Sequence, residues 1–248
     1  MAEFSERVDD REQERIAIMS RQDNINTVHR FFSGTGVSYD TIVRLCTAGL
    51  DGSWKEKLAQ KVPPNSTRIM DQACGTGILT IVLAHRHPHA RIVGVELRDE
   101  YLSIAREKLS RSNLTNVELI LGNAEDVVMD PPFDCIVSSY LAKYVDFDPL
   151  IKNAYEMLGK DGVFIMHDFI YPPNKLFAKA WGFYFKILQT IGSRKYPEWR
   201  TVFYELPQFL EEVAWMPRLC NSLKKHGFKD IEEEFYTFGA SAVISAVR

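Results

Sequence analysis

The sequence predicts an α/β protein with a seven-stranded, mostly parallel sheet and helices on both faces. Three observations favour this fold class. From Thr67 onward, short apolar segments alternate with helical patterns. A glycine-rich turn, Gly75–Gly77, separates the first apolar segment from the helix pattern after it, and the second apolar segment ends on an acid, Glu96. Strands that alternate with helices imply a parallel sheet with right-handed crossovers.

The individual elements follow in order along the chain. We expect a solvated helix over about Ser5–Arg30 and a second helical region over Tyr39–Lys61, interrupted near Gly49. Apolar runs with turn signals around them predict the strands, and a helical period predicts the helices. The strands are expected at about Arg68–Gln72, Arg91–Glu96, Val117–Leu121, Asp134–Ser138, Gly162–Phe169, Lys229–Tyr236 and Ser241–Val247. The helices between and after them are expected at about Ile78–Arg86, Asp99–Arg111, Pro149–Leu158 and Trp215–His226.

The length of 248 residues suits one domain with a sizeable insertion. We expect a helical N-terminal region over residues 1–62 and the sheet domain over residues 63–248. Residues 172–215 interrupt the strand pattern with an unusual density of aromatic side chains. Such an insert suits a lid over an apolar ligand. The alternative is a helical pair that packs its own small core, and both interpretations can hold together.

Bulk composition excludes several classes of protein. The formal net charge is −3 and the sequence pI is about 6.1, which argues against nucleic acid as the main partner. The sequence contains no uncharged run of transmembrane length and no apolar signal core near Met1, so we expect a cytoplasmic protein. The four cysteines are scattered without metal-ligand spacing, and a metal site at His85, His87 and His89 is not expected.

The glycine-rich turn predicts a cofactor site. Asp71, Ala73, Gly75 and Gly77 follow one another at alternate positions from the end of the first strand into the next helix. Glycine lets a ligand approach the backbone closely, and a helix N-terminus favours negative charge. An acid at the end of the second strand, Glu96, is placed to accept hydrogen bonds from a ribose. A nucleoside-containing cofactor at the carboxyl edge of the sheet is therefore expected; the alternative is an ordinary glycine turn before a helix.

The spacing acid-x-small-x-Gly-x-Gly resembles motif I of the class I S-adenosylmethionine (SAM) methyltransferases, which have a Rossmann-like sheet. The rest of the chain resembles the UbiE/MenG/COQ5 group of quinone-biosynthesis C-methyltransferases. The segments that carry this second resemblance are Phe32–Leu58, Gly122–Glu125, His167–Phe169, Phe183–Gly192, Tyr204–Pro207, Gly227–Phe228 and Thr237–Gly239. The resemblance implies SAM as the cofactor and a quinol as the methyl acceptor.

The resemblance also implies roles for single residues. Asp71 would pair with the ammonium group of SAM, and the backbone of Ala73, Gly75, Thr76 and Gly77 would hold its methionine portion. Glu96 would accept from the ribose hydroxyls. Asn123 would contact the adenine amino group, and the Ala124 amide would contact a ring nitrogen of the adenine. Ser138 would contact a further part of the cofactor, and Tyr39 would contact the methionine carboxylate of SAM. Three plainer interpretations stay open: Glu96 as a solvated loop acid, Asn123 as a turn former and Tyr39 as a core residue.

The sequence departs from the family after the fourth strand. Where the family has Gly-Leu-Arg-Asn, this chain has Tyr140-Leu-Ala-Lys143, and Asp168 replaces a glutamate. Lys143 is a candidate cation beside a phenolate, and His167 or Asp168 is a candidate base or orienter of a water molecule. Tyr140 would reshape the floor of the pocket. The alternatives are a solvated Lys143 and a His167 that is satisfied in the core.

Three functions remain open at this stage. The first is SAM-dependent C-methylation of a polyprenylated quinol, such as a demethylmenaquinol or a related benzoquinol. The second is a rhodoquinone-type exchange of a quinone substituent for an amino group, which the altered Tyr140–Lys143 segment favours. The third is a non-catalytic accessory subunit with weak SAM binding. A lipid-like substrate implies peripheral membrane contact, and the family resemblance implies a homodimer.

Overall fold

The computed structural model describes residues 21–130 and 132–248, so most of the helix expected over Ser5–Arg30 lies outside the described residues. Within these described residues, three helices precede the sheet, namely α1 (Arg21–Phe32), α2 (Tyr39–Cys46) and α3 (Asp51–Lys61). Four helices accompany the strands, namely α4 (Ile78–Arg86), α5 (Asp99–Arg111), α6 (Phe147–Met157) and α9 (Trp215–Lys225). The insert contributes α7 (Lys175–Ile187), a π-helical turn (Leu188–Gly192) and α8 (Arg200–Glu212).

The seven strands form one sheet. In chain order they are β1 (Arg68–Gln72), β2 (Arg91–Glu96), β3 (Val117–Leu121), β4 (Phe133–Ser139), β5 (Leu158–Phe169), β6 (Lys229–Tyr236) and β7 (Ser241–Val247). Their spatial order is β3-β2-β1-β4-β5-β7-β6. The first five strands pair in parallel, and β7 pairs antiparallel with both β5 and β6. The predicted seven-stranded, mostly parallel α/β fold is confirmed.

Two buried clusters cover the two faces of the sheet. One contains Met70, Ile136 and Met166 and packs against α6 and α9. The other contains Ile69, Val137 and Ile165 and packs against α3 and α4. Side chains alternate between the faces of a strand, so β1, β4 and β5 are apolar on both sides, as expected for central parallel strands.

A third buried cluster joins the insert to the N-terminal helices. Phe185 and Leu188 of the insert pack with Trp199 and Phe203, and α1 and α2 add Phe31 and Ile42. The aromatic residues of the insert therefore pack a core of their own, and this core also contacts α1 and α2. The packing agrees with the interpretation of residues 172–215 as a segment with a small core of its own, and their role as a lid over an apolar ligand stays a prediction.

The strand order reverses direction at β1. From β1 the chain proceeds outward through β2 to β3, and β4 then returns to the other side of β1. In an open parallel sheet, ligands bind at the carboxyl ends of the strands where this reversal occurs. The ends of β1, β2 and β4 carry Asp71, Glu96 and Tyr140, which places the residues singled out from the sequence at one edge.

Candidate functional site

The turn between β1 and α4 has the backbone that a bound cofactor needs. Ala73, Gly75 and Gly77 all have positive φ, at 59°, 57° and 84°. A Cβ atom added at Gly75 would meet no atom within 4 Å, whereas one at Gly77 would lie 3.2 Å from the Cβ of Ala105. Gly75 therefore leaves space for a ligand in front of the turn, and Gly77 allows α4 and α5 to pack closely.

Asp71 presents an unpaired carboxylate oxygen next to this turn. The side chain is buried, and Thr80 Oγ1 donates a hydrogen bond of 2.6 Å to Asp71 Oδ2. Asp71 Oδ1 has no partner among the described residues. Burial raises the pKa of Asp71 to about 7, because the charged form loses water. A buried acceptor without a partner is costly, so Asp71 suits a cationic ligand group such as an ammonium.

Glu96 holds the turn from the end of β2. Its two carboxylate oxygens accept from the Gly75 and Arg98 backbone N–H groups, each at 2.9 Å. The side chain is buried, and burial raises its pKa. Glu96 is therefore not a solvated loop acid. A carboxylate has about four lone-pair sites, so Glu96 can hold the turn and still accept hydrogen bonds from ligand hydroxyls.

A large cavity opens beside the turn and contains about 1130 Å³ of empty space, including its mouth. Its walls come from the sheet edge, from α1 and α2, and from the insert. Aromatic rings form much of the lining. These rings belong to Phe32, Tyr39, Tyr101, Tyr140, Tyr144, Phe169 and Trp199.

Asn123 and Ala124 line the same cavity beyond the end of β3. Asn123 Oδ1 accepts from the Glu125 N–H at 3.0 Å, and the Asn123 carbonyl accepts from Asp126 and Val127. Asn123 is therefore a turn former as well as a cavity residue. Contacts of the Asn123 side-chain NH₂ and the Ala124 amide with an adenine ring stay a prediction.

A smaller cavity adjoins the turn on the side of α3. Asp71, Thr76, Tyr39 and Lys55 line it, together with Ser139 and Tyr140. Tyr39 lies at the boundary, since it lines both cavities, and its partly buried ring packs against the third buried cluster. A zwitterionic amino-acid group would find an anion at Asp71 and a cation at Lys55 in this cavity.

Lys55 and Asp51 were not identified from the sequence as site residues. They form a buried ion pair one turn apart on α3. Tyr140 Oη donates to Asp51 Oδ1 at 2.7 Å, and Lys55 Nζ lies 4.4 Å from the centroid of the Tyr140 ring. The spacing Asp-x-x-x-Lys was the available signal, but it more often indicates an exposed helix pair.

Tyr140 occupies a strained position after β4. Its φ is 71°, a region that disfavours side chains larger than glycine by about 1–2 kcal/mol. The Tyr140 N–H donates to the His167 carbonyl at 2.8 Å, and the ring stacks on Phe169 with centroids 4.7 Å apart. Glycine would adopt this turn without strain. The tyrosine is held by its neighbours at the junction of the two cavities.

Lys143 and Asp168 form a second buried ion pair. Lys143 lines the large cavity, and its Nζ lies 2.5 Å from Asp168 Oδ1. Lys143 Nζ also donates to the Tyr140 carbonyl at 3.0 Å. Burial lowers the pKa of Lys143 and raises that of Asp168, so the two values move towards each other. Lys143 is therefore not a solvated surface lysine.

His167 and Ser138 lie behind the cavity walls. His167 is fully buried, its Nδ1 lies 3.0 Å from Ser139 Oγ, and burial lowers its pKa well below the usual range. Neither His167 nor Ser138 lines either cavity, whereas the neighbouring Ser139 lines both. Successive side chains point to opposite faces of a strand. The residue of β4 that contacts the cavities is therefore Ser139 and not Ser138, which the resemblance implied.

The family is shown by comparison with known proteins. The model of the ubiE/COQ5 methyltransferase family matches residues 19–248. The chain belongs to this family. It is therefore a SAM-dependent methyltransferase, and the unpaired Asp71 oxygen and the open space at Gly75 fit that cofactor.

Individual relatives agree with the family match. The chain is 25% identical over 219 residues to the demethylmenaquinone methyltransferase of Listeria monocytogenes serotype 4a, covering 87% of this chain and 92% of that protein. It is 23% identical over 227 residues to the demethylmenaquinone methyltransferase of Geobacillus stearothermophilus, covering 90% and 97%. The solved structure of a SAM-dependent methyltransferase from Thermotoga maritima superposes with a TM-score of 0.59 at 18% identity, covering 88% of this chain and 98% of that one.

None of the helices among the described residues is long and apolar enough to cross a bilayer.

Proposed function

We propose that this ubiE/COQ5-family enzyme methylates a ring carbon of a reduced, polyprenylated quinone. The observation that carries the proposal is the large cavity, whose lining is mostly apolar and aromatic and which begins at the glycine turn. Such a lining suits a flat aromatic ring with an apolar tail. The names of the relatives support the same acceptor class, since both are demethylmenaquinone methyltransferases.

Polar side chains in the wall of the cavity support recognition of the acceptor oxygens. When bound, SAM supplies the methyl group and leaves as a neutral thioether. An aromatic carbon is a weak nucleophile until a neighbouring hydroxyl loses its proton. Lys143 is one of several titratable residues that line the cavity, beside Glu96 and Tyr144, and burial lowers its pKa. We therefore assign Lys143, in its neutral amine form, the role of the base that accepts the hydroxyl proton, and Asp168 the role of a positioning residue that holds Lys143 in place.

Tyr140 takes part in positioning. Its ring contacts both cavities, and its hydroxyl is fixed by Asp51. A strained residue at the junction of cofactor and acceptor cavities is a common feature of sites that depend on orientation. We propose that the Tyr140 ring limits the orientations that the acceptor ring can adopt. Packing against this ring would then orient the acceptor in place of the family's arginine and asparagine.

The test is methyl transfer from isotopically labelled SAM to a panel of reduced short-chain quinols, with products analysed by mass spectrometry. Label in a ring methyl group is the expected result. Lys143→Met should abolish transfer while SAM binding by calorimetry stays within about threefold. Lys152→Met, at an exposed lysine on α6, is the matched control and should leave transfer unchanged.

Three other results would contradict the proposal in distinguishable ways. Replacement of a methoxy group by an amino group in the product would favour the rhodoquinone-type reaction that the Tyr140–Lys143 segment left open. Absence of both products together with weak SAM binding would favour an accessory role. Tight SAM binding with no quinol product would direct the search to another class of acceptor.

A further inference from the structure

The outer face of α7 carries a stripe of exposed apolar side chains. Leu176 is 80% exposed, Phe183 66%, Ile187 39% and Ile191 63%. The first three lie at i, i+7 and i+11, which places them on one side of the helix, and the π-helical turn continues the stripe to Ile191. A helix on a protein surface usually has polar residues on this side.

The stripe is not needed to attach the helix. The opposite side of α7 is buried through Phe185 and, at the start of the next turn, Leu188. Tyr184 Oη donates to the Leu45 carbonyl of α2 at 2.6 Å. The helix is therefore held by its inner face. Among the residues that the structure describes, the outer side chains belong to none of the three buried clusters.

The charged residues of the segment that carries the stripe are all of one sign. Residues 169–197 contain no Asp or Glu and five cationic residues, although the whole chain has a net charge of −3. Lys175, Lys179 and Lys186 lie on α7 itself and are exposed. Cations beside exposed apolar side chains are typical of helices that lie in the interface of an anionic membrane.

A second element extends the apolar surface beyond the helix. Phe238, in the short turn between β6 and β7, is 82% exposed and has a φ of 54°. Its ring centroid lies 5.7 Å from that of Phe177, at the start of α7. Phe238 therefore adds a further exposed apolar side chain at the N-terminal end of the stripe.

We propose that this surface, defined by Leu176, Phe183, Ile187, Ile191 and Phe238, docks on the face of a bilayer that contains anionic phospholipids. The apolar side chains would enter the boundary between headgroups and acyl chains, and the lysines would contact lipid phosphates. A second copy of the chain fits less well. A two-fold contact through this surface would place the α7 lysines of one copy near those of the other.

Docking here would bring the acceptor cavity close to the membrane. The inner face of α7 packs in the same buried cluster as Ile42 and Trp199, which line the large cavity. The cavity therefore lies behind the cluster that α7 covers. Docking would hold the cavity near the bilayer in which an acceptor with a polyprenyl tail resides. This last step rests on the proposed function, whereas the docking surface itself does not.

The test is co-sedimentation of the full chain with vesicles of phosphatidylcholine alone or of phosphatidylcholine with phosphatidylglycerol. We expect binding to the anionic vesicles that weakens in high salt. A triple variant, Leu176→Ser, Phe183→Ser and Ile191→Ser, should lose more than about tenfold in binding. A charge variant, Lys175→Glu, Lys179→Glu and Lys186→Glu, should lose at least as much, since each lysine near such a surface contributes about fivefold.

The matched control reverses three exposed lysines elsewhere, Lys152→Glu, Lys160→Glu and Lys224→Glu. This control variant has the same net charge as the α7 charge variant. The control should bind vesicles more tightly than the α7 charge variant. The proposal is overturned if the wild type does not bind, if both charge variants bind equally, or if light scattering shows a dimer that only the α7 variants disrupt. Methyl transfer to a short-chain quinol without vesicles should be unchanged in the apolar variant, so loss of the proposed activity and loss of docking are measured separately.

Discussion

At the scale of single residues, the site consists of buried polar groups whose environments oppose their ordinary charge states. Asp71, Glu96, Lys143 and Asp168 are all nearly or fully buried at the carboxyl edge of the sheet. Burial raises the pKa of each of the three acids and lowers that of the lysine. A ligand that carries the opposite charge should stabilise the ionised form of each group. The effect of each group on ligand binding can therefore be measured by varying the pH and by substitution.

The affinity for SAM should depend on pH through Asp71. The Asp71 pKa is about 7 without ligand, so the carboxyl group becomes neutral as the pH falls below that value. The ammonium group of SAM prefers the ionised carboxylate. The dissociation constant should therefore rise by up to about tenfold per pH unit as the pH is lowered from 7 to 5.5. Calorimetry over this range would measure it, and Asp71→Asn should bind weakly with a flat profile. A flat profile in the wild type would contradict the assignment.

The Lys143–Asp168 pair should show different effects on stability and on activity. Lys143→Met leaves a buried carboxylate without its cation and should cost about 3–5 kcal/mol of unfolding free energy. The double variant Lys143→Met, Asp168→Leu removes both charges and should recover most of that loss in urea unfolding. It should remain inactive in methyl transfer, because the group at the cavity wall is absent. Recovery of activity in the double variant would show that the pair is purely structural.

At the scale of elements, the position of α7 depends on how the helix begins. Asn174 Oδ1 accepts from the Leu176 and Phe177 N–H groups, each at 3.0 Å. This cap satisfies two of the N–H groups that the first turn of a helix leaves unpaired. Since α7 carries the exposed apolar stripe on one side and covers the cavity cluster on the other, its first turn sets both surfaces.

Removal of the cap should loosen α7 locally. Asn174→Ala should cost about 1 kcal/mol, and hydrogen exchange at the Leu176 and Phe177 amides should accelerate by a corresponding factor of about five. Asn174→Asp keeps an acceptor and adds a favourable charge at the helix N-terminus, so it is the matched control and should exchange like the wild type. Equal exchange in all three proteins would show that packing alone holds the first turn.

At the scale of the whole molecule, the site is assembled from three parts of the chain that are distant in sequence. The sheet edge supplies Glu96, the N-terminal helices supply Val28 and Tyr39, and the insert supplies Trp199. A ligand in the large cavity therefore contacts all three parts at once. Binding stabilises every part whose ordering the site requires, so the N-terminal helices and the insert should respond together.

Saturating SAM should raise the thermal unfolding midpoint, and hydrogen exchange should slow in α1, α2 and α8 as well as at the glycine turn. At a concentration a hundred times the dissociation constant, the stabilisation should be about 2.7 kcal/mol. Asp71→Asn should give a smaller shift at the same SAM concentration. Protection confined to the β1–α4 turn would indicate that the helices close over the acceptor and not over the cofactor.

The sequence by itself was sufficient for the sheet and for the cofactor edge. Strand and helix periods are local properties, and Arg68–Gln72 and Ile78–Arg86 occur with the predicted bounds. Acids at the ends of β1 and β2, with glycines between, have few other uses in such a fold. For this reason Asp71 and Glu96 could be singled out from residue type and spacing alone, and the structure brings them to the same edge.

Only the tertiary structure decided which side chains face the cavities. Ser138 and Ser139 are adjacent in sequence, yet the pleat of β4 directs them to opposite faces, so a one-residue difference changes which of them a ligand can meet. Asp51 meets Tyr140 across 89 positions in sequence, and no local pattern encodes that contact. The outward direction of the apolar stripe on α7 likewise depends on which side of the helix packs against α2, because an amphipathic pattern gives a period but does not say which neighbour it faces.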